Sequence, residues 1–188
     1  MKSRAAWPDR LPYRVRQFVL AAGAPVAPAE IATAISRAQL PEPAARLFRA
    51  MPRPYQRHAL NVAARLYAEG HQDPPLLQAA LLHDMGKWDP ISGRSVGVLH
   101  RVVATLLGRV APGRVVLARL AASSPDALGL RYGWHLQEAH PALGARLAAA
   151  AGIHPEVVAM IRYHQDPAAA PPHLAAALRC LAAADDQE

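Results

Sequence analysis

The chain has 188 residues, of which 52% are hydrophobic but only 5% aromatic, and its formal net charge is +7. This length suits one domain with a core of its own, and the single cysteine, Cys180, excludes an intramolecular disulfide. Arginine carries almost all of the positive charge, since Lys2 and Lys87 are the only lysines. The arginines are scattered and do not form a stripe flanked by aromatic residues, so the composition argues against nucleic-acid binding.

Alanine and leucine dominate the chain and no segment shows the alternation of a β-strand, so the sequence predicts an all-α fold. Proline and glycine mark the predicted helix boundaries. Residues 1–53 are predicted to form an N-terminal helical cap, and residues 54–188 the main domain. In chain order, the predicted helices cover residues 11–22, a segment from 28, 43–51, 54–69, 73–86, 92–122 in two parts, 141–151, 155–164 and 174–184, with a loop at 123–133.

The pair His83-Asp84 follows an apolar helical segment, 78–82, that would otherwise be ordinary buried helix. An imidazole and a carboxylate in such a place cost several kcal/mol unless each finds a partner. A divalent cation serves both groups, because it binds neutral histidine nitrogens and carboxylate oxygens. The pair therefore predicts a metal site in the core.

Four further residues are candidate metal ligands. His58 precedes the pair by the length of a helix and a turn, so two antiparallel helices could bring them together. His140 stands before Pro141 at a predicted helix start, where a polar capping role fits as well. His164 ends a helix with an apolar face. Asp185 ends the apolar stripe of the last predicted helix, although a charged and frayed C-terminus explains it too.

Three segments resemble the HD superfamily of metal-dependent phosphohydrolases: LLHDMGK at 81–87, HPALGARLAAAAGIHPEVVAMIRYHQ at 140–165 and LRCLAAAD at 178–185. The resemblance covers residues 54–185 in order. It implies an all-α bundle with a metal centre in its core. It also implies that one metal ion is bound by His58, His83, Asp84 and Asp185, and that Asp84 bridges to a second ion completed by His140 and His164.

The chain lacks sequence features of several branches of this superfamily, and these differences narrow the range of expected substrates. His164-Gln165-Asp166-Pro167 lacks the signature of the cyclic di-GMP phosphodiesterases, and Gly86-Lys87-Trp88 replaces the Glu-Asp pair of the guanosine tetraphosphate hydrolases. The large insertions of the deoxynucleotide triphosphohydrolases are also missing. The chain is most similar in these respects to the small HDIG-type and dinucleoside-polyphosphate-hydrolase-like members.

The resemblance implies hydrolysis of a phosphomonoester, phosphodiester or phosphoanhydride, with a nucleotide as the expected substrate. Asp84 and Lys87 are the expected catalytic residues. Lys87 is placed to meet a phosphate oxygen, although a cation at a helix C-terminus has a structural use as well. Arg57 is a weaker candidate for the same task.

The cofactor is expected to be one or two divalent ions, and the ligand set does not choose among manganese, iron, nickel, cobalt, zinc and magnesium. The same ligands fit the alternative function, a mixed-valent di-iron oxygenase. A non-catalytic scaffold is disfavoured because it has no use for six ligands.

The expected partner is a phosphorylated small molecule, and the expected compartment is the cytoplasm, since the N-terminus shows no apolar signal-peptide core and the lone cysteine suits reducing conditions. The basic segment 94–122 is expected to pack against the bundle or a partner subunit; contact with an anionic membrane is the lesser alternative.

Overall fold

The computed structural model describes residues 25–96 and 130–187, and both stretches are helical, as the sequence predicts. The α-helices of these stretches are α1 (Pro28–Arg37), α2 (Glu42–Ala50), α3 (Arg53–Ala68), α4 (Pro74–Leu82), α5 (Leu130–Ala150), α6 (Pro155–Tyr163) and α7 (Ala175–Asp186). Short 3₁₀ turns lie at Met85–Lys87, Pro167–Ala169 and Pro172–Leu174.

One hydrophobic core joins the N-terminal helices to the rest of the bundle. Ala38 and Phe48, from the predicted cap, belong to the same buried cluster as Leu60 of α3 and Leu81 of α4. The larger side chains among these, Phe48, Leu60 and Leu81, each stabilise the fold by about 1.5–3 kcal/mol when buried. The core therefore crosses the predicted boundary at residue 53, and the division into cap and domain stays a prediction.

Helix α4 ends at Leu82, whereas the sequence predicts a helix that continues to Gly86. His83 keeps helical dihedral angles, but Asp84 has φ −96° and ψ 2°, a region where few residues other than turn and active-site residues lie. The turn is closed by the backbone N–H of Lys87, which donates to the carbonyl of Asp84 at 3.0 Å. Asp84 therefore takes its direction from a turn and not from the helix that precedes it.

Helix α5 corrects two predictions. It begins at Leu130, inside the predicted loop 123–133, and it continues through Pro141, where a separate helix was expected to start. His140 therefore lies within a long helix and not at a helix start. Packing against the 85–87 turn and against α6 holds the helix together across the proline.

The last helices follow the sequence more closely. Proline opens α6, and the Nδ1 atom of its N-cap residue His154 accepts the backbone N–H of Glu156 at 3.3 Å. Helix α7 extends to Asp186, so Asp185 lies in its final turn.

The predicted helix 11–22 and residues 97–129 of the predicted basic helices and loop lie outside the described residues. The expected helix start at Ser92 is wrong: residues 92–96 contain a turn and a single bridge from Ser95 to Trp88 in place of a helix. Buried Tyr55 fixes the end of this segment through a hydrogen bond from its hydroxyl to the carbonyl of Val96 at 2.6 Å. In the two described stretches, no helix has the length and apolar character needed to cross a membrane.

Candidate metal centre

Six side chains from α3, the turn after α4, α5, the end of α6 and α7 converge inside the bundle. They form two groups, and within each group the potential ligand atoms all lie within 4.8 Å of one another. The first group is His58, His83 and Asp185; the second is Asp84, His140 and His164. The structure thus brings together all six residues singled out in the sequence as metal ligands.

The first group lies on the more open side of the centre. The Oδ1 atom of Asp185 is 2.8 Å from Nε2 of His58 and 3.5 Å from Nε2 of His83. The side chains of His58 and Asp185 are 16% and 28% exposed, while that of His83 is fully buried. Solvent therefore reaches the centre past His58 and Asp185.

The second group is closed to solvent. Its two histidine Nε2 atoms, on His140 and His164, are 3.1 Å apart. They lie 3.6 Å and 3.8 Å from Oδ1 of Asp84. All three side chains are only 3% exposed. An ion in this group would be bound by protein atoms, apart from any solvent or substrate atom that enters from the side of the first group.

Asp84 links the two groups. Its Oδ1 atom is 3.6 Å from Nε2 of His83, and its Oδ2 atom is 3.8 Å from Nε2 of His58. The Nζ atom of Lys87 donates to the same Oδ2 atom at 2.7 Å. Asp84 therefore lies between the two groups, and Lys87 is the cation that faces its Oδ2 atom.

Backbone carbonyls determine which nitrogen of each buried ring faces the centre. In each case the Nδ1 atom lies within hydrogen-bond distance of the carbonyl oxygen three residues earlier: His83 with Ala80 at 2.9 Å, His140 with Gln137 at 2.6 Å, and His164 with Ile161 at 2.7 Å. A carbonyl only accepts, so Nδ1 carries the proton in these bonds. In the neutral ring this leaves the Nε2 lone pair for a metal ion, the usual arrangement of metal-binding histidines.

The centre has the features expected of a metal site. Nε2 of His83 and Oδ1 of Asp84 are buried without a hydrogen-bond partner, an arrangement that costs about 1–3 kcal/mol per group in water-free surroundings. The lone pairs of His140 and His164 face each other at 3.1 Å. Two nitrogens bound at about 2.1 Å to one ion, at a right angle, lie about 3.0 Å apart. The buried His/Asp cluster can therefore bind a metal ion.

Burial and neighbouring charge shift the pKa values in a direction that suits metal binding. Burial lowers the pKa of His140 well below its usual value, and the charge of Lys87 adds to the effect. Burial and the neighbouring His83 lower the pKa of His164 to about 4. Both rings are therefore neutral near pH 7, which is the form that binds a metal.

The acidic groups remain charged. Burial alone would raise the pKa of Asp84, but Lys87 and His83 outweigh it and hold that pKa well below its usual value. Burial acts in the same direction on the pKa of Asp185, but the neighbouring rings of His58 and His83 outweigh it and hold that pKa below its usual value. For His83 burial opposes protonation, yet the two carboxylates outweigh it and raise the pKa. The centre thus offers two carboxylates to a cation.

Arg57, the weaker candidate for phosphate binding, takes no part in the centre. Its guanidinium donates to both carboxylate oxygens of Glu30, at 2.5 and 2.7 Å, and to the carbonyl of Pro25. The contact ties α1 to α3, and the Glu30 carboxylate outweighs burial to raise the pKa of Arg57. The prediction of a phosphate contact by Arg57 is not supported by this geometry.

Sequence reasoning missed the role of Gly86, which it interpreted as a helix stop. A Cβ atom at this position would overlap the carbonyl oxygen of His140 and lie 2.6 Å from the backbone nitrogen of Gly144. Glycine therefore lets the turn after Asp84 rest directly on α5, which carries His140. The glycine of Asp84-Met85-Gly86 is visible in the sequence, but only the contact with α5 shows why this position requires glycine.

No protein-family model, curated protein or solved structure matches the chain. The resemblance to the HD superfamily therefore rests on the residues quoted above, and the activity it implies is a proposal.

Proposed function

We propose that this protein is a metal-dependent phosphohydrolase of the HD type that cleaves a phosphate ester or anhydride bond, with a nucleotide as substrate. The observation that carries the proposal is the convergence of four histidines and two aspartates on one buried centre, in the order and types of the HD motif. The orphaned Nε2 of His83 and Oδ1 of Asp84 support a cation as the missing partner.

In this proposal one ion is held by His58, His83, Asp84 and Asp185, and a second by Asp84, His140 and His164. A bound divalent ion would lower the pKa of a water molecule on it and would place positive charge next to the phosphoryl oxygens. The ion is expected to be manganese, iron, nickel, cobalt, zinc or magnesium, because mixed nitrogen and oxygen ligands accept all of these to different degrees.

The chain's own residues suggest how a phosphate would approach. His58, Lys87 and Asp185 are the members of the region with exposed side-chain surface, at 16%, 13% and 28%. A substrate entering from this side would meet the ammonium group of Lys87 next to the carboxylate of Asp84. Lys87 would then transfer part of its hydrogen bonding from Asp84 to a phosphoryl oxygen, a charge-assisted contact that orients the substrate.

The alternative function, a mixed-valent di-iron oxygenase, also has a specific observation in its favour. The carboxylate of Asp84 lies between the two groups of ligands: Oδ1 is 3.6 Å from Nε2 of both His83 and His140, and Oδ2 is 3.8 Å from Nε2 of His58. A carboxylate in this position could bridge two irons. The two functions differ in what the protein consumes, since the oxygenase takes up dioxygen and the hydrolase releases phosphate.

The test is metal analysis of the purified protein together with an assay of phosphate release from nucleotides and dinucleoside polyphosphates, after reconstitution with each of the six metals. Asp84→Ala is expected to lose bound metal and hydrolysis while retaining its helical circular dichroism, because the bridging carboxylate serves both ion positions. The matched control is Asp166→Asn, which alters an exposed carboxylate and is expected to keep both properties.

Wild-type metal content and turnover in Asp84→Ala would disprove the proposal. Failure of the metal-loaded wild type to release phosphate from every substrate would also count against it. Oxygen consumption by the iron-loaded protein, with a mixed-valent signal in electron paramagnetic resonance, would instead establish the oxygenase.

A further inference from the structure

Pro141 lies in the interior of α5, a position where proline is costly. It has no N–H to donate to the carbonyl of Gln137, four residues earlier, and its ring crowds that carbonyl. In an ordinary helix interior such a proline is strongly destabilising. The Gln137 carbonyl is therefore open to a donor other than the N–H four residues later.

The carbonyl freed by Pro141 is the one that holds His140. The Nδ1 atom of His140 lies 2.6 Å from the Gln137 oxygen, the shortest of the three histidine–carbonyl contacts in the centre. The other two contacts use Ala80 and Ile161, which belong to the final turns of α4 and α6. Carbonyls in a final turn have no helical N–H partner of their own.

His140 is the only one of these three histidines that lies within a helix and not at its end. In an unbroken helix, the N–H of residue 141 would occupy the Gln137 carbonyl. Proline removes this competitor and so gives an interior histidine the same free acceptor that a helix end gives to His83 and His164.

We propose that Pro141 is a positioning residue: by freeing the Gln137 carbonyl, it keeps the proton of His140 on Nδ1 and directs the Nε2 lone pair toward Asp84 and His164. The consequence for metal affinity rests on the proposed metal-dependent function. The consequence for the position of the proton does not, since it concerns the metal-free ring.

The chain contains a second His-Pro pair that serves as a matched control. His154-Pro155 stands at the start of α6, where the missing N–H of proline is harmless. There the Nδ1 atom of His154 accepts a hydrogen bond from the N–H of Glu156. Pro155 therefore frees no carbonyl for a histidine, and its replacement removes a proline without affecting the centre.

The experiment compares wild type, Pro141→Ala and Pro155→Ala by three measurements. Long-range ¹H–¹⁵N spectra of the metal-free proteins report which imidazole nitrogen of each neutral histidine carries the proton, with His140 assigned from its loss in His140→Gln. Competition with a chromophoric chelator gives the affinity for Zn²⁺. Thermal unfolding gives the melting temperature.

In wild type and Pro155→Ala, the proton of His140 is expected on Nδ1. In Pro141→Ala, the new N–H competes for Gln137, so a substantial Nε2–H population is expected, with Zn²⁺ affinity about tenfold or more lower, as for other groups that orient a metal ligand. The melting temperature of Pro141→Ala is expected to be equal or higher, because alanine suits a helix interior. A purely structural proline would show the reverse pattern, with lower stability and an unchanged ring.

An unchanged Nδ1–H form of His140 in Pro141→Ala would overturn the inference, and so would a changed form with wild-type Zn²⁺ affinity. If the wild-type protein binds no Zn²⁺ or other divalent ion, the proposed function fails, and the position of the proton alone decides the role of Pro141.

Discussion

The Nε2 atoms of His140 and His164 face each other at 3.1 Å, while the Nδ1 atom of each ring is occupied by a backbone carbonyl. Two neutral rings in this arrangement direct lone pairs at each other, which is unfavourable without a proton or a cation between them. Burial lowers the pKa of both histidines, so an added proton is disfavoured near pH 7. A metal ion resolves the conflict and uses both lone pairs.

Lys87→Ala is expected to reduce kcat/KM by roughly ten- to a hundredfold. Loss of a charge-assisted contact of about 1.5–3 kcal/mol in the transition state corresponds to that range. Metal content should be unchanged or higher, because the substitution frees the Oδ2 atom of Asp84 for an ion. Steady-state kinetics and metal analysis on the same samples test this.

Lys87→Arg is the matched variant, and we expect it to recover only part of the rate, since a planar guanidinium does not reproduce a compact ammonium group. If Lys87 only stabilises the turn after α4, Lys87→Ala would change the free energy of unfolding and leave kcat/KM as in wild type. That result would remove Lys87 from the catalytic residues.

Gly86→Ala is expected to lower stability by about 1–3 kcal/mol, the usual cost of overpacking, and to weaken metal binding at the same time. The added Cβ would overlap the His140 carbonyl, a backbone atom that can yield only if α5 moves. Moving α5 displaces His140 from Asp84. Chemical denaturation and metal titration measure the two effects.

Gly70→Ala is the control for Gly86→Ala. Gly70 has φ +91°, and a Cβ there would meet nothing within 4 Å. Alanine at this position should cost stability through backbone strain alone, on the order of 1–3 kcal/mol, with wild-type metal affinity. Equal metal affinity in both variants would show that the contact between the turn and α5 does not position the site.

Asp89→Asn tests an acid-dependent contribution to stability close to the centre. Burial would raise the pKa of Asp89, but hydrogen bonds from Ser92, Tyr132 and the N–H of Ile91 outweigh it and lower the pKa to about 2. The carboxylate therefore binds protons less readily in the folded state than in the unfolded state. Its stabilising contribution is present above its unfolded pKa of about 3.9 and is lost as the pH falls through about 2.

The melting temperature of wild type is accordingly expected to exceed that of Asp89→Asn at pH 6, and the difference should shrink steadily between pH 4 and the lowest pH at which both proteins fold. Asp166→Asn, which changes the exposed residue before the 3₁₀ turn Pro167–Ala169, provides the comparison. A difference between wild type and Asp89→Asn that is the same at pH 6 and pH 3 would contradict the assigned role of this carboxylate.

The candidate ligands were predictable because their side chains are out of place in an apolar helical context. His83 and Asp84 follow a run of buried residues, so residue type and local pattern were sufficient to select them. Asp185 has a second explanation in a charged C-terminus, and the resemblance to the HD superfamily was needed to include it. The helical class was predictable for a similar reason: alanine, leucine and the proline and glycine boundaries act through local backbone preferences.

Contacts between distant parts of the chain decided the rest. Local preference favoured a break at Pro141, but the 85–87 turn and α6 hold α5 continuous across it. Arg57 is next to the candidate ligand His58 in sequence, yet its guanidinium forms an ion pair with Glu30 of another helix. Gly86 acquires its role only from the backbone of His140. The sequence alone determined which residues were out of place in the core, because burial cost is a property of each side chain; the tertiary structure alone decided how they face one another, because that depends on helices packed from remote segments.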